Sequence, residues 1–284
     1  MLAPTIKSIK RRITSVNSSK NIMKAMNLVA SANLQKVKGQ LSLIRPMAQN
    51  MRFVMDGVKS SESAGESAFT EERDVRNIAY VVFASDRGLC GPYNVNIAKR
   101  AWALIEERPG VQEKIISVGT KGAEYFQRRG KRVYRRYTNL SESEAYHRAE
   151  EIGNLLASMF KSGEADEVYL AYTRFVTVLS HEPHVEKLLP IAVGAHGESG
   201  PMTYDTDVNT FMEYAVPMYL NAAIYGAIIE SSVCEHASRM TSMESATQNA
   251  SEIIDELTLA YNHKRQGAIT QEITEIVSGA NALR

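Results

Sequence analysis

IKRRITSVNSSKNIMKAMNLVASANLQKVKGQLSLIRPMAQNMRFVMDGV, residues 9–58, is the stretch on which the fold turns. Steps of four and three from Ile9 meet Ile13, Val16, Lys20, Met23, Asn27, Ala30, Leu34, Val37, Leu41, Ile44, Ala48, Met51, Met55 and Val58. Only Lys20 and Asn27 interrupt this apolar seam. Spacing kept up for so long predicts a coiled-coil helix, about 75–80 Å in length at the α-helical rise. Pro46 removes a hydrogen-bond donor and is expected to bend the helix.

A matching pattern closes the chain. Ile229, Val233, Ala237, Met240, Met243, Ala246, Ala250, Ile253, Leu257 and Ala260 recur at the same spacing, and beyond Gly267 the series resumes at Ile269, Ile273, Ile276 and Ala280. A helix from about 208 to 282 would exceed its N-terminal counterpart by roughly 30 Å. Small residues such as Ala222, Ala223, Gly226, Ala227, Ser231 and Ser238 would let a partner helix approach closely.

Charge agrees with periodicity. Residues 1–60 carry eleven Lys and Arg against Asp56 alone, whereas residues 205–284 carry eleven acids against four bases. Opposite charge and equal period invite the two ends to cover each other as an antiparallel pair, because a lone helix with an apolar seam is unstable in water. The surplus of the second helix, with Ile269, Ile273, Ile276, Val277 and Leu283, still needs cover, from the chain's own middle or from another protein.

Over all 284 residues the net charge is +1, which argues against wholesale nucleic-acid binding. The 44% apolar and 23% charged composition belongs to a folded chain. Cys90 and Cys234 alone build neither a disulfide framework nor a zinc site. No run approaches the roughly 18 apolar residues of a membrane span, and the chain is expected to be soluble by itself.

Two polar segments, 60–72 and 195–207, read as linkers. Between them strands are expected at 76–84, 114–118, 133–137, 167–178 and 184–193, with helices at 94–107, 121–129 and 143–161. Such alternation implies an open, mainly parallel sheet flanked by helices. The expected fold is therefore α/β, a long antiparallel coiled coil of N- and C-terminal helices plus a central Rossmann-like α/β domain. Its parts are residues 1–60, 73–195 and 206–284.

Catalytic signals are weak. Ser85-Asp86-Arg87-Gly88-Leu89-Cys90-Gly91 joins strand to helix, where a phosphate could bind, yet it is neither G-x-G-x-x-G nor a P-loop. A tight turn is the favoured reading, and Cys90 beside Arg87 reads as an inert thiol before a reactive one. His181, Glu182, His184 and Glu186 read as a solvated strand-to-strand turn, not a metal site. No catalytic residue, bound cofactor or metal is expected.

Three blocks resemble the gamma subunit of the F-type ATP synthase: Ile13 to Leu34, Ser85 to Asn94, and Ile269 to Ala282, the last close to the signature Ile-Thr-x-Glu-x-x-Glu-x-x-x-Gly-Ala. Glu235 to Tyr261 is similar to the family's C-terminal helix. The resemblance covers nearly the whole chain, its end helices most strongly. It implies a non-catalytic rotor shaft, coupling ion flow to rotary ATP synthesis or hydrolysis on a ring of three alpha and three beta subunits. It implies as further partners the epsilon subunit and the c-subunit ring, with a peripheral place on the cytoplasmic face of the plasma membrane.

By the same resemblance, Met23 and Lys24 match positions near the moving lobe of beta. Arg265, Gln266, Thr270 and Glu272 match a polar group that bonds the catalytic ring, and Tyr204 and Asp205 match the segment facing the c ring and epsilon. Pro92-Tyr93 stands where relatives often carry Gly-Leu, and no chloroplast-type regulatory insertion is visible. The basic N-terminus superficially resembles a transit peptide, but its seam runs unbroken into the first matched block, so it reads as mature structure of a bacterial protein. The competing readings are a coiled-coil adaptor or nucleic-acid binder using the basic N-terminal helix, and a nucleotide-dependent enzyme built on the middle domain.

Overall fold

The structure, a computed structural model, describes residues 5–59, 67–140, 143–191 and 208–282. Tyr204, Asp205 and the whole of the 195–207 segment lie outside the described residues, as does the first half of the 60–72 segment. Two helices dominate: α1 (Ile6–Lys59) and α5 (Val208–Ala282). Between them the chain runs β1 (Asn77–Phe83), α2 (Tyr93–Glu106), β2 (Gln112–Val118), α3 (Thr120–Gln127), β3 (Val133–Tyr137), α4 (Ala145–Lys161), β4 (Glu167–Phe175) and β5 (His181–Leu189). The chain forms two compact units, residues 31–239 and residues 1–30 with 240–284.

In the larger unit the strands lie in the order β3-β2-β1-β4-β5. β1 pairs in parallel with both β2 and β4, β2 pairs in parallel with β3, and β5 returns antiparallel beside β4. Central β1, NIAYVVF, is apolar on both faces because both are covered, as parallel sheets require. Ile78, Tyr80 and Val82 pack with Ile97 and Ala101 of α2 and Phe126 of α3. α4 buries Ile152, Leu156 and Phe160. At Gly153 it comes so near α5 that a Cβ would lie 2.0 Å from Asn221 Oδ1, so a larger residue would have to displace the Asn221 side chain.

The β4–β5 connection differs from expectation. β4 ends at Phe175, and residues 176–180 turn the chain, although Val176 and Leu179 are apolar. The Thr177 hydroxyl accepts the amides of Leu179 and Ser180, at 3.3 and 3.0 Å, and this local capture overrides the strand pattern. Leu179 is left 85% exposed. His181, Glu182, His184 and Glu186 consequently lie on strand β5 instead of in a turn.

The seam of α1 is buried or half-buried at every expected position from Ile9 to Met55. The helix continues through Pro46, which sits on its exposed side, where the carbonyl freed of its partner can take water. Within the larger unit α1 and α5 run antiparallel: Ala48 lies against Gly226, and one turn back Arg45 meets Glu230. Arg45 Nη2 donates to Glu230 Oε1 at 2.8 Å and to the Phe175 carbonyl at 3.1 Å, while the Phe175 amide donates to the same carboxylate oxygen at 2.9 Å. One carboxylate thus ties α1, α5 and the end of β4 together. The half-buried Arg108–Glu167 pair, with Lys187 on the second Glu167 oxygen, makes a similar tie across the sheet.

In the smaller unit Asn27, the polar break in the seam, donates from Nδ2 to the Met240 carbonyl at 2.8 Å. Ile9, Ala30, Met243 and Ala250 are buried there. The seam of α5 then passes through Ile254, Leu257 and Tyr261, all half-buried. Ile253 and Ala260, expected in it, are exposed, because the helix drifts against a strict heptad and brings the next residue inward. From His263 onward every described side chain is exposed. The length of α1 accounts for this: Ile6, its first residue, stands as far from Asn27 in sequence as Tyr261 stands from Met240.

Leu34, 3% exposed in the seam, should separate sharply from Leu43, 78% exposed on the same helix. Leu34→Ala is expected to lower unfolding free energy by about 2–5 kcal/mol, and Leu43→Ala by no more than about 0.5 kcal/mol. Urea unfolding monitored by circular dichroism measures both.

Candidate functional site

In an open α/β sheet, ligands bind at the carboxyl ends of the strands, where the strand order reverses. Here that point lies beyond β1, since β2 and β3 extend to one side and β4 to the other. The turn Ser85–Gly91 occupies it, and the polar groups of Ser85 and Asp86 are spent internally. The Ser85 amide donates to Asn94 Oδ1 at 2.8 Å, fixing the entry to α2. Asp86 accepts from the Thr120 amide (3.0 Å), the Thr120 hydroxyl (2.8 Å) and the Asn139 amide (2.7 Å), so its carboxylate joins three loops.

α5 closes the place from above. Tyr93 Oη donates to the Ser231 carbonyl at 3.1 Å, and Arg239 reaches the carbonyls of Arg87 and Gly88, both at 3.4 Å. Ile228 and Ile229 line what remains, a cavity of about 80 Å³. Ligand sites for small molecules occupy about 300–1,000 Å³, so a nucleotide does not fit. Cys90 is buried in this region, and burial pushes its thiol above the ordinary range, against weaker help from Ser85. The Cys234 thiol is raised in the same way by burial and by Glu230. Burial therefore works against thiolate formation at both cysteines.

The histidines of β5 are likewise structural. Alternation puts Glu182, His184 and Glu186 on one face and His181 on the other. Glu186 is held by Arg52 at 2.5 Å, and among the described residues no three His, Cys, Asp or Glu side chains gather to hold a metal. Burial lowers the pKa of His181; burial and then Arg174 lower that of His184, against the pull of Glu186.

The other candidate is the uncovered end of α5 in the smaller unit. Ile269 (48% exposed), Ile273 (56%), Ile276 (66%) and Val277 (53%) form one apolar face at about 100° per residue. Gln271, Thr274, Glu275 and Ser278 form the opposite, polar face, stitched by Gln271 Nε2 to Glu275 Oε1 at 2.9 Å and by the Thr274 hydroxyl to the Thr270 carbonyl at 2.8 Å. Arg265 and Glu272, seven apart, flank one border of the apolar face; Thr270 flanks the other, and Gln266 sits within it. All four are exposed. The Thr270 hydroxyl bonds back to the Gln266 carbonyl at 3.0 Å.

Met23 is half-buried and Lys24 exposed on α1, beside Ile22, which is exposed though apolar. With Asn27 level with Met240, they stand about 30 Å along the axis from Arg265 and Gln266. The structure therefore gathers the polar group of α5 but keeps it apart from the pair on α1. Sequence reasoning missed Glu230, Arg45 and Arg239. The available signal was a charge directly beside a seam position, as Glu230 is beside Ile229.

A protein-family model for ATP synthase matches residues 5–283. Among curated proteins, the ATP synthase gamma chain of Alkaliphilus metalliredigens is 40% identical over 98% of this chain and 99% of its own. The sodium-ion-specific ATP synthase gamma chain of Acetobacterium woodii is 37% identical over 99% and 100%. Among solved structures, a chain of the Euglena gracilis mitochondrial ATP synthase rotor aligns with a TM-score of 0.67 at 16% identity over 93% of this chain and 98% of that one. One from the central stalk and c ring of the Tetrahymena thermophila enzyme gives 0.63 at 23% identity, over 79% and 99%. At such identities these structures establish the shared fold.

Both β5 imidazoles resist protonation in the folded chain, whereas the unfolded chain takes up protons on them near pH 6.5. Stability present above that range is lost as pH falls through it, until the folded-state sites also load. The urea midpoint is expected to be lower at pH 5.5 than at 7.5, and His181→Phe should shrink the difference.

Proposed function

The chain belongs to the ATP synthase gamma chain family, and from that premise we propose that it is the central rotor shaft of an F-type ATP synthase, with no catalytic site of its own. The observation that carries this reading is the uncovered, two-faced end of α5, which bears the family's signature block.

An apolar helix face left open to water costs stability unless something covers it. A collar formed by the alpha and beta subunits is the partner proposed for Ile269, Ile273, Ile276 and Val277. Arg265, Gln266, Thr270 and Glu272 then supply polar contacts to the ring, and Met23 and Lys24 supply a second contact level, about 30 Å away along the shaft. Tyr204 and Asp205 are proposed to face the c ring, and the epsilon subunit to bind on that side. Nucleic acid has no part in this reading.

The mechanism needs no chemistry from this chain. A partner shifts a two-state element only through its different affinity for the two states. A shaft with an apolar face, a polar face and a charged border offers each of three identical subunits a different surface as it turns. Each subunit is thereby biased toward a different state at any instant, and rotation passes the states around the ring. Two long helices, held by an apolar seam and by ties such as Arg45–Glu230, carry displacement along the shaft with little local yielding. The proposed location follows from the assembly: peripheral, on the cytoplasmic face of the plasma membrane, bound there through the complex.

Co-purification of the tagged chain from membranes tests the assignment, with alpha, beta and epsilon subunits expected in the eluate. Arg265→Ala combined with Gln266→Ala is expected to cut coupled ATP synthesis in reconstituted membranes several-fold. Because both side chains are exposed, the melting temperature of the purified chain should be unchanged. Synthesis at the unaltered rate would remove these residues from the coupling contact.

A further inference from the structure

Beside the Arg45–Glu230 tie, a cavity of about 540 Å³ opens between α1, α5 and the end of β4. Its floor is apolar and shallow: Leu41, Ile44, Ala48, Ala223, Gly226 and Ala227. Gly226 contributes no side chain there, and a Cβ in its place would only touch Ala48 at 3.7 Å. Tyr172 and Phe175 add two aromatic rings, and Arg45, Arg52 and Arg174 supply the charge.

The acids around the cavity are already engaged. Glu230 accepts from Arg45 and from the Phe175 amide. Glu186 accepts from Arg52. Arg174 stands differently: its Nη2 lies 3.4 Å from His184 Nε2, and among the described residues no carboxylate is within ion-pairing distance of it. Glu182 is its cross-strand neighbour in register yet forms no ion pair with it. Arg45 and Arg52 are 45% and 38% exposed at the side chain, so each keeps N–H groups beyond those bonded to Glu230 and Glu186. Five donors on a planar guanidinium suit an oxyanion.

We propose that this cavity is a binding site for a small phosphate-bearing molecule with an apolar portion. Arg174 would be the principal ligand of the phosphate, Arg45 and Arg52 would support it, and the apolar portion would lie on the floor beside Phe175. The volume is that of a small-molecule site, and one guanidinium without a carboxylate partner among the described residues, beside two that keep free N–H groups, suits an anion. The site is separate from the α5 end on which the rotor reading rests, and it holds or fails independently of that reading.

Titration of the full chain with inorganic pyrophosphate, followed calorimetrically at low salt, tests it. Saturable one-to-one binding is expected, weakened at least tenfold by Arg174→Gln and weakened as salt is raised. Arg174→Gln should change the melting temperature little at neutral pH, since no ion pair is lost and only the 3.4 Å contact with His184 Nε2 goes. Gly226→Val, which fills the floor, should leave pyrophosphate affinity within about twofold while abolishing the extra affinity of an alkyl phosphate over inorganic phosphate. Absence of saturable binding, or equal binding by Arg174→Gln, overturns the proposal. Binding by the free chain that vanishes in the assembled complex also overturns it, by making an acidic segment of a neighbouring protein the occupant.

Discussion

The structure depends on one constraint: a helix with a continuous apolar seam cannot stand in water, and these two seams are of unequal length. Within each of the two units α1 and α5 cover each other. Burial along α5 fades where α1 begins, and the residues beyond keep the apolar character of a seam without its cover. Within the smaller unit the uncovered end begins where α1 runs out, since Ile6 is as far from Asn27 in sequence as Tyr261 is from Met240. The same physics that forms the pair favours cover for this face.

The sheet obeys a second constraint. A mainly parallel sheet creates a binding crevice wherever its strand order reverses, and this fold spends that crevice on its own helix. Ile228 and Ile229 line what remains of it, and Tyr93 and Arg239 bond across it. The glycine turn keeps its tight geometry for packing, and Asp86, which could have met a ribose or a metal, holds α3 and the loop after β3 instead.

Charge plays a narrower role than the opposite signs of the two termini suggest. Exposed pairs contribute only about 0–1 kcal/mol each. The informative charges are the few that enter the packed region. Glu230 collects donors from α1 and β4 while sitting on α5, so removing it would leave the Phe175 amide without its acceptor and Arg45 with the Phe175 carbonyl. Asn27 does for the smaller unit what a polar seam residue does in many coiled coils, fixing the register through one backbone carbonyl.

Pattern and spacing alone determined that two long helices open and close the chain, that a mainly parallel sheet lies between them, and that the C-terminal helix is the longer. Those features come from periods of 3.5 and 2, which are local properties of the chain. The resemblance of Ile269–Ala282 to a family signature also marked the part of α5 that proves uncovered. Tertiary structure decided what depends on neighbours distant in sequence. It moved the seam from Ile253 to Ile254, because rotation of a helix face accumulates over many turns. It ended β4 at Phe175, because the Thr177 hydroxyl captured two amides. It closed the strand-order crevice with α5 and set Arg174 beside a cavity without a carboxylate partner among the described residues, since contacts of β4 with helices distant in sequence, 130 residues away for Arg45 and 55 for Glu230, leave no periodic trace in the chain.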